Sequence, residues 1–291
     1  MGNGISEWRL GRREGVSAGA VAYEVLGEGP SVVLVHGTPT RSYLWREVAQ
    51  RLADRFAVYV YDLLGYGDSE KGESQDVSIA AQARLLGELI EAWGLDAPAV
   101  VGHDIGGGIA LRAHLLEGVR FDRIALLDAV VLAPWQSRPK SSTWHVVEHT
   151  GAYENMPDHL FEAFFSAYLK EAGSRLGEEA FGAYLEQWRG EESRRAFVRQ
   201  ATQLEERHTR ELALLLGSIG VPVLVIWGEE DTWLDPAQAD RLCEAIPGAR
   251  LKKVPGAGHF VMEDAPVEVT RELVAFLSGN GEGAKGRDRT R

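Results

Sequence analysis

Short apolar runs alternate with amphipathic segments along most of the chain. Near the N-terminus, residues 8–13 and 21–26 alternate apolar and polar side chains, which is typical of edge strands in a hairpin. Later apolar runs predict strands buried on both faces. These runs are 31–35, 57–61, 97–101, 124–131, 221–228 and 250–254. Apolar residues at helical spacing predict helices between them. These segments are 41–53, 77–93, the stretch after Gly106 to about 116, 236–246 and 266–277.

This alternation predicts an α/β fold with a mostly parallel sheet and helices on both faces. The eight predicted strands are interrupted by residues 134–216, which are polar, aromatic-rich and helical in period. We therefore expect a core of residues 1–133 and 217–278, with a helical cap of residues 134–216 inserted in it. Residues 279–291 are rich in glycine and charge, which predicts a disordered tail.

Composition narrows the classes of partner. The 291 residues carry a formal charge of −12, which argues against nucleic acid and anionic membrane surfaces and favours a small neutral molecule. Cys243 is the only cysteine, so no intramolecular disulfide is possible, and no apolar stretch suits a signal peptide or a membrane span. We expect a cytoplasmic protein, either a monomer or a homodimer.

The strongest local pattern is Gly-His-Asp-Ile-Gly at residues 102–106, between a predicted strand and a predicted helix. Glycines two positions either side of a central residue allow the tight strand-to-helix reversal of a nucleophile elbow. The central residue here is Asp104, whose carboxylate lies near a helix N-terminus and is a candidate nucleophile. An aspartate after a strand is more often a simple helix N-cap, and the flanking glycines argue against that interpretation.

Other predicted strand ends supply the remaining chemistry, because the carboxyl ends of parallel strands meet at one edge of a sheet. His259 follows the last strand and Asp231 follows the penultimate strand. Nucleophile, acid and histidine then occur in the chain order of a hydrolase triad. Asp128, after another strand, is a rival acid partner. The backbone N–H groups of Thr38 and Ile105 are candidate donors of an oxyanion hole, which completes the predicted site.

Six motifs carry a family resemblance: HGTP at 36–39, RSYLWR at 41–46, DLLGYGDS at 62–69, GHDIGG at 102–107, WGEED at 227–231 and GAGHF at 256–260. With them the chain resembles the α/β-hydrolases of the branch that contains haloalkane dehalogenases and epoxide hydrolases. The resemblance implies two-step chemistry. Asp104 attacks an electrophilic carbon to form an ester, and water activated by His259 hydrolyses it, while Asp231 orients the imidazole.

The substrate markers of that branch are only partly present. Haloalkane dehalogenases place a halide-binding Trp directly after the nucleophile and commonly an Asn at the position of Thr38, whereas this chain has Ile105. Epoxide hydrolases need HGxP, which residues 36–39 match, and acid help from cap tyrosines. The candidate substrate-binding residues are Tyr153, Tyr168, Tyr184 and Trp135, the last as an indole donor that keeps dehalogenation open.

The sequence therefore predicts a hydrolase with an aspartate nucleophile that opens a small apolar epoxide. The alternative within the class is a haloalkane dehalogenase. The alternatives from other classes are a cofactor-free oxygenase, a lyase or a ligand-binding protein with the same fold. We expect no cofactor, and no metal site, because no histidine or carboxylate cluster has the spacing of metal ligands.

Overall fold

A single eight-stranded sheet forms the centre of the protein. The computed structural model describes residues 8–135 and 141–279. The strands are β1 (Arg12–Val16), β2 (Gly19–Leu26), β3 (Ser31–Val35), β4 (Ala57–Tyr61), β5 (Ala99–His103), β6 (Ile124–Leu127), β7 (Val223–Gly228) and β8 (Arg250–Val254). They lie in the order β1-β2-β4-β3-β5-β6-β7-β8. The first two pairings are antiparallel and all the others are parallel, which confirms the predicted fold class.

Helices connect the strands. They are α1 (Arg46–Leu52), α2 (Ile79–Ala92), α3 (Ile105–Leu115), α4 (Ser142–Glu148), α5 (Thr150–Glu154), α6 (Asp158–Lys170), α7 (Glu178–Glu186), α8 (Glu191–Thr202), α9 (Arg207–Ala213), α10 (Ala237–Ala245), α11 (Val261–Asp264) and α12 (Pro266–Leu277). Local sequence explains several ends. Ser78 caps α2 by accepting a hydrogen bond from Ala81 N, and Pro266 occupies the first position of α12.

The strand boundaries differ most from the sequence prediction in the first and the sixth strand, and by about two residues in several others. The first strand begins at Arg12 instead of residue 8, so Trp8 lies before it. The strand predicted over residues 124–131 ends at Leu127, because Asp128 adopts a left-handed conformation with φ of 41°. That conformation turns the chain out of the sheet. The predicted tail lies outside the described residues, except Gly279.

Helices α4 to α9 all lie between β6 and β7, and we call the chain from α4 to α9 the helical insertion. Three of its glutamines bind the loops of the core. Gln187 donates to Pro39 O and accepts from Gly67 N, and Gln203 accepts from Val77 N. Gln200 accepts from the hydroxyls of Thr38 and Tyr66. The helical insertion is therefore hydrogen-bonded directly to loops at the carboxyl edge of the sheet.

Candidate active site

The turn between β5 and α3 holds Asp104 in a conformation that few residues adopt. Its φ of 53° and ψ of −124° lie outside the regions that L-residues favour. A Cβ at Gly102 would collide with the carbonyl oxygen of Gly106, and a Cβ at Gly106 would collide with that of Val35. The two glycines predicted from the motif are therefore required by close backbone packing, and they allow Asp104 to project from the sheet edge.

Two backbone amides face the carboxyl group of Asp104. Thr38 N donates to Asp104 Oδ2 over 2.7 Å, and the Ile105 amide also donates to this carboxyl. Gly37 makes the approach possible, because a Cβ there would overlap the Asp104 side chain. Burial raises the pKa of Asp104 to about 6, although His259 and the two amides oppose this shift. At neutral pH the group is a carboxylate with one oxygen already in the position predicted for an oxyanion.

His259 lies between the two acids predicted to flank it. Its Nδ1 is 2.9 Å from Asp231 Oδ2, and its Nε2 is 3.7 Å from Asp104 Oδ1. The second distance is too long for a hydrogen bond, and Nε2 has no other partner among the described residues. Burial alone would lower the pKa of His259, but the charge and hydrogen bond of Asp231, with the charges of Asp104 and Asp128, raise it to about 9. The imidazole therefore has one nitrogen fixed by Asp231 and the other directed toward the carboxylate of Asp104.

Asp231 and His259 are themselves held by backbone groups. Asp231 Oδ1 accepts from Trp233 N and Leu234 N, at 2.9 and 3.0 Å. His103 Nε2 donates to the carbonyl oxygen of His259 over 2.9 Å, so the residue before Asp104 supports the imidazole loop. The sequence-predicted residues Asp104, Asp231, His259, Thr38 and Ile105 are thus brought together at one edge of the sheet.

Asp128, the rival acid partner, has a different environment. It is fully buried, and its carboxyl accepts from two backbone amides, that of Gly228 over 2.8 Å to Oδ1 and that of Val261. Burial, and then the charge of Asp231, hold the pKa of Asp128 well above its usual range. The hydrogen bond to His259 Nδ1 is made by Asp231, so geometry favours Asp231 as the acid partner.

A cavity of about 220 Å³ opens onto Asp104 and His259. Its walls are mainly apolar and aromatic, from both the core and the helical insertion. They include Ile105, Val130, Trp135, Trp144, Val147, Tyr168, Leu204, Trp233 and Leu234. Besides Asp104 and His259, the polar side chains of the wall are those of Ser141, Thr143, Glu171 and Thr232, with the phenol of Tyr168. Such a cavity suits a small, mostly apolar molecule.

Of the three tyrosines predicted to bind substrate, Tyr168 lines this cavity. Its hydroxyl is 3.0 Å from Thr143 Oγ1, and its ring stacks on Trp233 with centroids 5.0 Å apart. Burial raises the pKa of Tyr168, so its phenol remains protonated. The other two predicted tyrosines are not among the residues that line this cavity, and the hydroxyl of each has a partner elsewhere. Tyr153 pairs with His145 Nδ1 at 2.7 Å, and Tyr184 donates to Glu263.

Trp135 also lines the cavity, but its indole N–H is occupied. Nε1 donates to Thr209 Oγ1 over 2.8 Å, so the group is not available as the predicted halide donor. Sequence reasoning missed Trp233 and Thr143 as cavity residues. Trp233 had a usable signal, because it follows Asp231 by two positions at a strand end. Thr143 had none.

Within residues 8–135 and 141–279, no group of three or more histidine, cysteine, aspartate or glutamate side chains is arranged to hold a metal ion. None of the described helices combines the length and apolar character required to cross a membrane.

Comparison with known proteins gives the family. A family model described as the alpha/beta hydrolase fold matches residues 30–266. The chain belongs to this family, and it is an enzyme, a hydrolase of the α/β fold. It is 30% identical to Haloalkane dehalogenase 2 of Mycobacterium tuberculosis, over 89% of this chain and 91% of that protein.

Two other similarities bear on its function. A solved structure of an alpha/beta hydrolase fold protein from Burkholderia ambifaria has a TM-score of 0.87 at 36% identity, covering 91% of this chain and 97% of the other. The cis-3-alkyl-4-alkyloxetan-2-one decarboxylase of Xanthomonas campestris is 26% identical, over 89% of this chain and 93% of that protein. The chain therefore matches these proteins over nearly their full lengths.

Proposed function

We propose that this enzyme hydrolyses a small, mostly apolar epoxide to a diol through a covalent ester on Asp104. The observation that carries the proposal is that one apolar cavity contains both the Asp104 carboxylate and the Tyr168 phenol, with His259 beside the carboxylate. A nucleophile and a proton donor facing the same small space suit the opening of a ring whose leaving atom is oxygen.

In the first step, Asp104 Oδ1 attacks a ring carbon of the epoxide and the carbon–oxygen bond to the ring oxygen breaks. Oδ1 is the attacking atom because Oδ2 accepts the Thr38 amide. The ring oxygen leaves as an alkoxide and takes the proton of Tyr168, which a phenol supplies readily since an alkoxide is far more basic. The product is a hydroxyalkyl ester, and solvent restores the proton of Tyr168.

In the second step, water gives a proton to His259 Nε2 and attacks Asp104 Cγ. Negative charge develops on Oδ2, which the amides of Thr38 and Ile105 stabilise. Collapse of this intermediate breaks the bond between Cγ and the alkyl-bearing oxygen, and His259 returns the proton to the departing diol. Asp104 is left as a carboxylic acid and loses its proton to solvent, which balances the proton that solvent gives to Tyr168. Asp231 stabilises the imidazolium that exists in between. The reaction needs water and no cofactor.

Dehalogenation is the second candidate, supported by the 30% identity to Haloalkane dehalogenase 2 and by the indoles of Trp144 and Trp233 in the cavity wall. A leaving halide is stabilised by hydrogen-bond donors, and it is too weak a base to take a proton from a phenol. Ile105 has no side-chain donor, the Thr38 hydroxyl donates to Gln200 and the Trp135 indole donates to Thr209. These occupied donors favour an oxygen leaving group. The relative named for an oxetan-2-one, a four-membered oxygen ring, supports the same preference.

The test is to trap the ester in a His259→Gln variant. Incubation with styrene oxide is expected to add the whole mass of the epoxide to the peptide that contains Asp104, because the ring oxygen stays in the adduct. Chlorohexane, used in parallel, would add only the alkyl group if chloride is displaced. The control is His114→Gln, an identical change at a histidine of α3 whose ring bonds Val119 O.

Each outcome of this experiment favours a different class of protein. An epoxide adduct on Asp104 supports the proposal, and an alkyl adduct alone supports the dehalogenase. No adduct with either compound, together with tight binding of an apolar ligand that Asp104→Ala leaves unchanged, would favour a non-hydrolytic protein. In the parent enzyme, a single turnover in water labelled with heavy oxygen should leave the first diol unlabelled, since its new oxygen comes from Asp104.

A further inference from the structure

The segment that follows α6 lies against the loop of His259. Residues 171–175, which we call the strap, belong to the helical insertion and connect α6 to α7. The backbone amide of His259 donates to Ala172 O over 2.9 Å. The next amide, of Phe260, donates to Ser174 Oγ over 2.8 Å. The backbone N–H groups of His259 and Phe260 therefore both donate to the helical insertion, whereas the carbonyl oxygen of His259 accepts from His103 of the core.

Three further contacts join the strap to the same loops. Thr232, next to Asp231, donates its hydroxyl hydrogen to Glu171 O. Asp264 bridges the two segments, because its Oδ1 accepts from Arg175 N at 2.9 Å and its Oδ2 accepts from Gly258 N at 2.9 Å. The strap thus contacts the loop of the acid partner as well as the loop of the histidine.

Two glycines make this approach possible. A Cβ at Gly258 would collide with the backbone of Gly173, and a Cβ at Gly173, whose φ is +77°, would collide with Glu230 O. The glycine before His259 is therefore explained by the backbone of the helical insertion, which packs directly on it. Such close backbone contact leaves little freedom for either segment to shift alone.

We propose that Ser174 is a positioning residue for His259, and that the strap fixes the imidazole between Asp231 and Asp104. Of the strap's contacts with the histidine loop, the Ser174 hydroxyl is the one made through a strap side chain, so it can be removed without altering the backbone. The inference rests on the proposed function, in which His259 acts only in ester hydrolysis.

The strap also connects the base with the cavity wall. Tyr168 lies in the last turn of α6, four residues before Ala172, and its ring stacks on Trp233, whose own ring lies 4.9 Å from that of His259. The phenol that contacts the leaving group and the carbonyl that holds the base are thus on one short, continuous segment.

The experiment measures the two chemical steps separately in Ser174→Ala. Rapid quenching followed by mass analysis of the Asp104 peptide gives the rates of ester formation and ester hydrolysis with styrene oxide. We expect hydrolysis to slow by about 10- to 100-fold, as for a catalytic group displaced by a fraction of an ångström, while ester formation changes little. The pH at which hydrolysis reaches half its maximum should fall, because a displaced imidazole interacts less with Asp231.

Two matched variants separate positioning from general damage. Ser218→Ala removes a serine hydroxyl between α9 and β7, one that donates to Leu215 O of its own turn over 2.7 Å, and should leave hydrolysis near the parent rate. Ser174→Thr keeps the hydroxyl and should restore most of the hydrolysis rate. Thermal unfolding of each variant shows whether it is folded at the assay temperature.

The outcomes are distinct from those that test the proposed function. If His259→Gln accumulates no ester, the proposed function fails. If it does accumulate ester but Ser174→Ala hydrolyses that ester with the rate and pH profile of the parent, only the positioning role of Ser174 is wrong. The same conclusion follows if Ser218→Ala slows hydrolysis as much as Ser174→Ala does.

Discussion

The loops at the strand ends and the inner face of the helical insertion contribute to the same cavity by different means. At the strand ends, backbone geometry sets the site: Asp104 is held by its left-handed conformation and by the amides of Thr38 and Ile105. On the helical insertion, side chains set it, through the stacked ring of Tyr168 and the Thr143 hydroxyl beside it. Changes at the strand ends should therefore abolish chemistry, whereas changes on the insertion should alter one step or the choice of substrate.

The largest effect should follow the loss of the nucleophile. Asp104→Ala removes the atom that forms the ester, and we expect turnover of styrene oxide to fall by about 10⁴-fold or more. Steady-state diol formation measures it, and no adduct should form in the Asp104→Ala/His259→Gln double variant. Retention of more than a small fraction of activity would mean that water attacks carbon directly.

The two buried acids should differ strongly in effect. Asp231→Asn removes the charge beside His259 Nδ1, and we expect ester hydrolysis to slow by about 10³-fold. Asp128→Asn, a matched change at a buried acid that bonds Gly228 N, should slow hydrolysis by less than about 10-fold. Single-turnover rates measure both. A larger effect at Asp128 would reverse the assignment of the acid partner.

A smaller effect should follow loss of the proton donor on the insertion. Tyr168→Phe leaves the alkoxide without a donor, and we expect ester formation to slow by about 10²-fold while ester hydrolysis is unchanged. The control is Tyr153→Phe, whose hydroxyl bonds His145 outside the cavity wall. Burst kinetics report the first step directly. Equal effects of the two variants would remove Tyr168 from the chemistry.

The smallest effect concerns pH. Because the nucleophile must be ionised and burial raises the pKa of Asp104 to about 6, ester formation should fall about ten-fold per unit below that pH. Ester hydrolysis needs neutral His259, so it should rise with pH. Its midpoint should lie below about 9, since the ester no longer carries the Asp104 charge that helps to raise that pKa. Rapid-quench measurements across pH give both midpoints, and a single shared midpoint would contradict this account.

The same contrast explains what the sequence could reveal. The glycines at 102 and 106 were predictable because a side chain at either position would collide with the backbone. Asp104, Asp231 and His259 were predictable because they follow strand ends in the chain order of a hydrolase triad. The sheet and its strands were likewise predictable from buried apolar runs. The end of β6 was not, because the left-handed turn at Asp128 depends on tertiary contacts.

The sequence predicted less about the helical insertion, above all which of its side chains face the cavity. Its amphipathic periodicity predicted helices, but three tyrosines on such faces look alike until the helices are packed. Tyr184 is directed to Glu263 and Tyr153 to His145, and nothing in the local sequence distinguishes them from Tyr168. The contact between the strap and the His259 loop could not be predicted from the sequence either, because Gly258 packs on Gly173, 85 residues earlier in the chain.

The chain leaves the sheet at the carboxyl end of β6, passes through the helical insertion and returns at the amino end of the neighbouring strand β7, since these strands are hydrogen-bonded in parallel, with Leu126 opposite Val225. Because both attachments are to strands that are already paired with each other, the insertion can vary in length and sequence without disturbing the register of the sheet. The arrangement therefore makes the helical insertion, with the cavity residues that it carries, an exchangeable module. Grafts between relatives should keep their chemistry provided that each donor insertion also brings a backbone able to pack on Gly258.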